Sequence, residues 1–368
     1  MVLYINGNYP HHSLHGELVA KLAEMGNTIT VFVPIRSKEL DGKYRCDHPD
    51  VFVLYDDCLK ISDRVFFLRK IHRIVKRIEE QVDLVKVTCI IAGTLYSDGF
   101  VAYLLHQKYS IPFSVALRET DVTYQMKWRP YLNRIVKHLL DQSTRIIFLS
   151  PTYRRYIDRF GIDQAKYKVI PNAVNDYWFN SRSNSWSLHD PVSLIYVGEI
   201  SKRKNVCTTI SAVAELNRKG VAAQFRIIGT GDEEESCRAL AKELCVNEQV
   251  FFHGWQNGKE KLKEFYDQSD IFVMPSYRET FGTVYIEAMS QGLPVIYSKG
   301  QGIDGYFAEG SVGYGCDPDN VDEVVDRIKK IIENYSGMSK QTLLESRRFR
   351  WEIVAGEYND VIQSMRKE

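Results

Sequence analysis

A chain of 368 residues is too long for one ordinary hydrophobic core and predicts two domains of roughly 150–200 residues. Apolar residues make up 44% and charged residues 26%, which is typical of a globular protein, and no apolar run reaches the roughly 18–20 residues of a membrane span. The net charge of +1 conceals an asymmetry between the two halves. Residues 1–175 contain 25 Lys and Arg but 18 Asp and Glu, whereas residues 176–368 contain 23 Lys and Arg but 29 Asp and Glu. The basic first half indicates either a complementary face for the second half or contact with an anionic surface.

The seven cysteines are scattered, odd in number and without a C-x-x-C pair. This pattern argues against a disulfide framework and against a zinc site, and it indicates reduced thiols in a cytoplasmic protein. The N-terminus, MVLYINGNYP, lacks the basic region and long apolar run of a secretory signal, which also favours a cytoplasmic location.

Short apolar runs alternate with amphipathic segments through the first half of the chain. Strands are predicted at residues 2–6, 28–34, 84–92, 113–118, 145–150 and 167–172, and a helix at 17–26. Strands separated by helical segments of about ten or more residues imply right-handed crossovers and a parallel sheet. We therefore predict a Rossmann-like domain over residues 1–172.

A stretch rich in Asn, Ser and Asp at 173–191 interrupts the alternation and predicts a linker. The alternation then restarts, so a second Rossmann-like domain is expected over 192–348, followed by a terminal helix within 349–368. Ligands lie beyond the carboxyl ends of parallel strands, so the expected site is the cleft between the two domains.

Residues 278–295, RETFGTVYIEAMSQGLPV, place Glu279 and Glu287 eight positions apart around a Phe-Gly step. We expect Glu279 on a loop, Thr283 as a helix N-cap and Glu287 on the second helical turn. Gly282 allows the backbone to approach a ligand, and the first helix amides form an anion site. Carboxylates bind sugar hydroxyls and amides bind phosphate, so a molecule with sugar, diphosphate and ribose fits this stretch.

The stretch MPSYRETFGTVYIEAMSQGLPVI resembles the signature of the retaining glycosyltransferases of family four, which have the α/β GT-B fold of two Rossmann-like domains. The signature contains two glutamates with seven residues between them, a Phe-Gly step, and Glu-Ala-x-x-x-Gly-x-Pro. The resemblance implies that Glu279 positions the transferred sugar and that Glu287 holds the nucleotide ribose. It also implies that the turn between them contacts the donor, through Phe281, Gly282, Thr283 and Val284.

The segment YVGEISKRKNVCTTI (196–210) lies between a predicted strand and a predicted helix. The family reads Val-Gly-Arg here, with a lysine five residues after the arginine, so the resemblance implies that Lys204 stabilises the leaving diphosphate. Glu199 replaces the arginine, and either Lys202 or Arg203 could restore the charge. A unit charge about 4 Å from phosphate is worth on the order of 4 kcal/mol at an effective dielectric of about 20. The alternative is a solvated basic loop.

The segment IIGTGDEEE (227–235) contains Gly229 and Gly231 but has Glu234 where a third dinucleotide-binding glycine is required. This argues against a dehydrogenase. The resemblance implies that the Gly-x-Gly loop lies near the nucleotide.

The segment NGNYPHHSLHGELVAKLAEMG resembles the first glycine-rich loop of the family, which implies that Gly16 faces the diphosphate before a helix that starts at Glu17. His11, His12 and His15 lack a carboxylate at ligand spacing, so no metal site is expected. The family needs no metal.

The segment SVALRETDVTYQ (114–125) resembles the Arg-Gly-Ser-Asp loop of many related bacterial enzymes. The resemblance implies that Arg118, beside the transferred sugar, and Asp121 line the acceptor side of the site. A structural salt bridge between the two residues is the alternative.

Residues 63–82, DRVFFLRKIHRIVKRIEEQV, have apolar residues at helical spacing with basic residues between them. Such a helix either packs its apolar stripe into the core or lies on the anionic inner face of the plasma membrane. The sequence has no aromatic-interleaved basic stripe, so nucleic acid is not an expected partner.

The predicted activity is metal-independent, cofactor-free transfer of a hexose from a UDP- or GDP-type sugar to a saccharide or lipid-linked acceptor. The resemblance implies a role in bacterial surface-polysaccharide synthesis. Two alternatives stay open: a nucleotide-sugar epimerase on the same scaffold, and a non-catalytic partner subunit of a glycosyltransferase, which the departure at Glu199 allows.

Overall fold

The computed structural model describes residues 1–180 and 187–367, which form two compact α/β units. Unit 1 consists of Met1–Leu149, Tyr153–Asn172 and the C-terminal segment from Trp351, and unit 2 consists of Ser150–Thr152 and Ala173–Arg350. The predicted linker 173–191 therefore belongs to unit 2, although its residues 181–186 lie outside the described residues. Its described part packs against unit 2, because Gln291 Nε2 donates to the carbonyl of the buried Trp178 at 2.7 Å.

Unit 1 is built on a seven-stranded sheet in the order β3-β2-β1-β4-β5-β6-β7, in which every pairing is parallel. Its strands are β1 (Val2–Ile5), β2 (Ile29–Pro34), β3 (Val51–Asp56), β4 (Cys89–Ala92), β5 (Phe113–Leu117), β6 (Arg145–Phe148) and β7 (Tyr167–Val169). Four strands are buried at every position, namely β1, β2, β4 and β5, because both faces of the sheet are covered.

Helices connect the strands of unit 1. They are α1 (Leu14–Glu24), α2 (Phe67–Gln81), α3 (Phe100–Tyr109), α4 (Met126–Trp128), α5 (Asn133–Gln142) and α6 (Arg154–Ile157). The first helix starts at Leu14 rather than at Glu17, so the predicted start was wrong. Gly16 consequently lies inside the first turn of α1.

Unit 2 has a six-stranded parallel sheet in the order β10-β9-β8-β11-β12-β13. Its strands are β8 (Val192–Val197), β9 (Ala223–Ile228), β10 (Val250–Phe252), β11 (Ile271–Met274), β12 (Val295–Ser298) and β13 (Gly313–Cys316). Its helices are α7 (Tyr177–Asn180), α8 (Val206–Arg218), α9 (Glu234–Glu243), α10 (Lys259–Asp267), α11 (Thr283–Ser290), α12 (Val321–Glu333) and α13 (Tyr335–Ser346).

The last helix, α14 (Trp351–Met365), belongs to unit 1 and packs against α1. The indole Nε1 of Trp351 donates to Glu17 Oε2 at 2.7 Å, and Asn27 Nδ2 donates to Asn359 Oδ1 at 2.9 Å. One face of α14 is buried along its length, so this helix completes the core of unit 1.

The basic helix α2 turns its apolar stripe inward, since Ile71, Ile74, Val75 and Ile78 are buried. Two residues of the predicted stripe, Val65 and Leu68, are instead exposed at its N-terminal end. Core packing therefore accounts for most of the amphipathic pattern. Among the described residues, no helix combines the length and the apolar character needed to cross a bilayer.

Candidate functional site

Two loops at the carboxyl edge of the unit 2 sheet bring Lys204 and Glu279 together. Lys204 ends a single 3-10 turn after β8, and Glu279 lies on the loop after β11. The Lys204 ammonium donates to Glu279 Oε2, and the two side chains are only 12% and 10% exposed. The amide of Tyr277 donates to the carbonyl of Arg203 at 2.9 Å and ties the two loops together. The adjacent strands β8 and β11 thus bring a carboxylate and an ammonium together in a largely buried position.

Glu279 is held by its own loop and by the loop that follows β12. Its amide donates to Gln301 Oε1 at 3.3 Å, and its carbonyl accepts from the amide of Gly302 at 3.1 Å. Oε1 of the carboxylate accepts from the amide of Thr280 at 3.1 Å. The carboxylate is therefore fixed in position before any ligand arrives.

The helix α11 begins with a glycine cap. Gly282 is the N-cap, with φ of +80°, and Thr283 is the first helical residue, so the prediction of Thr283 as the cap was wrong. A Cβ at position 282 would meet the ring of Tyr285 at 2.7 Å, which explains why glycine is required. No side chain caps the first amides of α11, and they remain available for a ligand.

Phe281 and Val284 flank this turn in different environments. The Phe281 ring is buried against Phe349 and Tyr306, with ring centroids 5.7 and 5.8 Å apart, so its side chain anchors the loop. Val284 and Thr283 are half-buried. The backbone of the turn, rather than the Phe281 side chain, is thus the part that a ligand can reach.

Glu287 lies on the second turn of α11, as predicted. Its carboxylate makes no hydrogen bond and no ion pair with the residues that the structure describes. Burial raises the pKa of Glu287 to about 7, and Lys259 opposes this increase. A largely enclosed carboxylate without a partner is costly unless a ligand satisfies it.

Arg203 lies beside Glu199, the residue that departs from the family pattern, and whether it or Lys202 restores the charge stays a prediction. The Arg203 Nη1 donates to the carbonyl of Arg278 at 3.0 Å, and its Nη2 lies 4.0 Å from Glu199 Oε2. Both side chains are largely exposed, whereas Lys204 is enclosed. Lys204 is therefore the better placed cation of this loop for a buried anionic group.

Gly229 and Gly231 allow two loops of unit 2 to pack closely. A Cβ on Gly229 would overlap the carbonyl oxygen of Gly198, and a Cβ on Gly231 would overlap that of Ile200. The packing of the loops after β8 and β9 is sufficient to require both glycines.

The N-terminal loop of unit 1 is tightly packed around Gly16. A Cβ there would lie 2.9 Å from the carbonyl oxygen of Tyr44. His15 is buried, with Nδ1 at 3.1 Å from Asn6 Nδ2 and 3.2 Å from Tyr4 Oη, and burial lowers its pKa far enough to keep the ring neutral. Throughout the described ranges, no group of three His, Cys, Asp or Glu side chains has an arrangement suited to a metal ion.

Asp121 serves the fold of unit 1. Its buried carboxylate accepts from the amides of Leu95, Tyr96 and Arg118 at 3.1, 3.2 and 2.9 Å. The Arg118 Nε donates to the carbonyl of Gly93 at 3.0 Å, and the two side chains do not form an ion pair. Asp121 thus joins the loops after β4 and β5, and Arg118 remains half-buried beside them.

Three polar residues of unit 1 were not identified from the sequence: Lys70, Tyr96 and Asp98. The buried Asp98 accepts from Thr94 Oγ1 at 3.0 Å and from the amide of Gly7 at 3.3 Å, and burial raises its pKa to about 7. Lys70 donates to Ser97 Oγ at 2.9 Å. The available signal was the polar run TLYSDG, which directly follows the buried strand β4.

Two doubly wound parallel sheets in one chain, each with polar loops at its carboxyl edge, define the GT-B class of fold, as predicted. Residues 16–177 match the family model described as Glycosyltransferase Family 4, and residues 179–347 match the model described as Glycosyl transferases group 1. Both models describe glycosyltransferases and together they span residues 16–347, so the chain is a glycosyltransferase with the GT-B fold.

Curated relatives are also glycosyltransferases. The chain is 26% identical over 233 residues to an uncharacterized glycosyltransferase of Methanocaldococcus jannaschii, across 59% of each protein. It is 31% identical over 147 residues to the lipopolysaccharide core biosynthesis glycosyltransferase LpsE of Rhizobium meliloti, across 40% of this chain and 41% of LpsE. The matched region thus spans less than two thirds of either relative.

Solved structures share the fold over nearly the whole chain. The lipopolysaccharide outer core galactosyltransferase WaaB matches with a TM-score of 0.78 at 17% identity, over 99% of both chains. Anabaena Alr3699/HepE in complex with UDP matches with a TM-score of 0.73 at 16% identity, again over 99% of both chains. HepE has also been solved with UDP-glucose.

Proposed function

We propose that this glycosyltransferase transfers a hexose, with retention of anomeric configuration, from a nucleotide-diphosphate sugar to a saccharide or lipid-linked acceptor. The observation that carries the proposal is the arrangement in unit 2. The enclosed Lys204–Glu279 pair and the unpartnered Glu287 carboxylate lie on either side of the glycine-capped start of α11. The complexes of HepE with UDP and UDP-glucose support this class of donor.

In the proposed mechanism, Glu279 accepts hydrogen bonds from hydroxyls of the transferred sugar, and Glu287 accepts them from the ribose. The diphosphate contacts the amides of Thr283 and Val284 and the ammonium of Lys204. Donor binding thereby separates the Lys204–Glu279 pair and gives each member a new partner. As the glycosidic bond breaks through an oxocarbenium-like transition state, Lys204 stabilises the charge that develops on the leaving diphosphate.

We propose that this reaction needs neither a metal nor a cofactor, because the Lys204 ammonium and the helix amides supply the charge at the leaving group. Arg203 and the loops that contain Gly229 and Gly231 then serve to shape the donor site in unit 2, and the role implied for Gly16 of unit 1 stays a prediction. The similarity to WaaB and LpsE supports a role in bacterial cell-surface polysaccharide assembly in the cytoplasm. The exposed Val65 and Leu68 beside basic residues support contact of unit 1 with an anionic membrane surface.

The proposal is tested by incubating the purified chain with a panel of UDP- and GDP-sugars and measuring nucleotide release with and without saccharide acceptors. We expect acceptor-dependent release for one donor, and NMR of the product should show the anomeric configuration of the donor. Isomerised sugar without release identifies an epimerase instead. A chain that binds no donor from the panel is a non-catalytic subunit.

A further inference from the structure

Two cations in unit 1 share one aromatic ring. The Lys70 Nζ lies 5.4 Å and the Arg129 Cζ lies 4.8 Å from the centroid of the buried Phe67 ring. Lys70 donates to Ser97 Oγ at 2.9 Å, and Arg129 Nη2 donates to the carbonyl of Arg64 at 3.1 Å. The helix α2 and the segment after α4 therefore each place one positive charge within 5.4 Å of the Phe67 ring centroid.

Neither cation has a carboxylate partner in an ion pair among residues 1–180 and 187–367. The next basic residues on α2 do: Arg73 is paired with Asp63, and Arg77 Nη2 lies 2.8 Å from Asp56 Oδ2. Lys70 and Arg129 are half-buried, and partial burial of a cation without a counter-charge is unfavourable. An aromatic face attracts a cation but supplies no hydrogen-bond acceptor.

The acids near Lys70 balance only part of the positive charge around it. Burial lowers the pKa of Lys70, the carboxylates of Asp98 and Asp63 raise it, and Arg129 and Arg36 lower it further. Asp63 is already engaged by Arg73, and burial raises the pKa of Asp98 to about 7. Lys70, Arg129 and Arg36 therefore carry more positive charge than Asp63 and Asp98 can balance.

Hydrogen-bond donors around Phe67 are also left unused. Within the described part of the chain, the Nε of Arg129 and the hydroxyl oxygen of Tyr96 are buried and have no hydrogen-bond partner. The Tyr96 ring stands edge-on to Phe67, with centroids 6.4 Å apart. Unsatisfied buried donors are uncommon, and a group with several acceptor oxygens that entered by small side-chain shifts would satisfy them.

The position of the cluster is that of a ligand site. Ser97 and Asp98 follow β4, and Asp98 accepts from the amide of Gly7, which follows β1. These strands are neighbours at the centre of the sheet, and their carboxyl ends are where parallel α/β sheets bind ligands.

We propose that Lys70 and Arg129 form an oxyanion-binding site that takes a phosphate or carboxylate group of the acceptor. Tyr96 and Ser97 border this site and contribute hydroxyl groups. Only the identification of the ligand as the acceptor rests on the proposed function. The binding of an oxyanion by unit 1 does not depend on the donor site in unit 2.

The test is calorimetric titration of the full chain with inorganic phosphate and, in a second arm, with malonate as a dicarboxylate, at constant ionic strength. The variants are Lys70→Met and Arg129→Met. The matched control is Lys76→Met, on the same helix, where the lysine is 75% exposed and lies 3.8 Å from Glu80 Oε1. We expect the affinity for at least one probe to fall about tenfold or more in both test variants and to stay unchanged in the control. The preferred probe identifies the group as phosphate or carboxylate.

Lys204→Met separates this site from the donor site. We expect it to weaken UDP binding and to leave unchanged the part of phosphate or malonate binding that is lost in Lys70→Met. We expect Lys70→Met to lose that part and to bind UDP like the wild type. Thermal melting verifies that each variant is folded, and Lys70→Met is expected to melt no lower than the wild type because it removes a half-buried charge. Equal oxyanion affinity in wild type and Lys70→Met, or no oxyanion binding by the wild type, overturns the inference. Absence of UDP binding with oxyanion binding intact instead contradicts the donor proposal.

Discussion

At the scale of single residues, Lys204 and Glu279 neutralise each other in unit 2. Two nearly enclosed charges can exist there because each compensates the other. Glu287, on the second turn of α11, forms no ion pair with any described residue, and burial raises its pKa to about 7. In the proposed function, donor binding must therefore separate one ion pair, and it supplies hydrogen bonds to one carboxylate that otherwise lacks them.

Lys204→Ala should abolish transfer and destabilise the fold by roughly 3–5 kcal/mol, because it leaves the Glu279 carboxylate buried and unpaired. The double variant Lys204→Met with Glu279→Gln contains no buried charge, so most of the stability should return while activity does not. Denaturant unfolding and the transfer assay measure the two effects. A double variant as unstable as Lys204→Ala would show that the ion pair is not the cause.

Glu287→Gln should stabilise the protein only at neutral and alkaline pH. The pKa of Glu287 is raised from its ordinary 4.5 to about 7 in the folded state, so ionisation destabilises the fold progressively between these values and fully above them. The variant should gain on the order of 1–3 kcal/mol over the wild type at pH 8 and nothing near pH 4.5. Denaturant unfolding at both pH values measures this difference.

The same Glu287→Gln variant should bind UDP more weakly, because a neutral amide replaces the carboxylate proposed to hold the ribose. Calorimetry with UDP provides the measurement. A variant that is stabilised at pH 8 but binds UDP like the wild type would mean that the Glu287 carboxylate has no role in donor binding.

At the scale of elements, the buried parallel strands were predicted well, whereas one edge strand of each sheet was not. β3 (Val51–Asp56) and β13 (Gly313–Cys316) were missed. The edge strand β3 is half exposed, and β13 contains two glycines, which are uncommon in strands. The strand β4 is shorter than predicted, because Leu84–Lys86 forms a 3-10 turn before it.

The start of α11 depends on one glycine. Gly282→Ala should destabilise the protein by about 1–3 kcal/mol, because alanine at φ of +80° is strained and its Cβ would press on the Tyr285 ring. It should also weaken UDP binding by displacing the first amides of the helix.

Gly356→Ala is the matched control. This glycine lies within α14, where an added Cβ would meet no atom within 4 Å, so alanine there should be neutral or stabilise by about 0.5–1 kcal/mol. Thermal melting compares the two.

At the scale of the whole molecule, the C-terminal segment does not belong to the unit that precedes it in the sequence. Helix α14 follows unit 2 in sequence but contributes its buried face to unit 1. Deletion of residues 351–368 should therefore remove hydrogen-exchange protection from β1–β7, because it exposes the surface of α1 that α14 covers. The strands β8–β13 should keep their protection. Uniform loss across both sheets would contradict the division into two units.

The sequence by itself determined the two doubly wound domains and the positions of Glu279, Glu287 and Lys204. Alternating buried strands and helices leave a strong local pattern, and the glutamate signature occupies a short continuous stretch. Glu199 was recognised as a departure from the family pattern for the same reason, since it lies within a short motif.

Only the tertiary structure decided which of these groups are partnered. Lys204 and Glu279 are 75 residues apart and pair because β8 and β11 are neighbours in the sheet. The Asp121 carboxylate accepts hydrogen bonds from amides of two loops of unit 1, and its predicted place on the acceptor side stays a prediction. Lys70 and Arg129 lie near the same Phe67 ring although they are far apart in the sequence. Such pairings depend on the packing of elements that are distant in the sequence, and local sequence patterns do not indicate this packing.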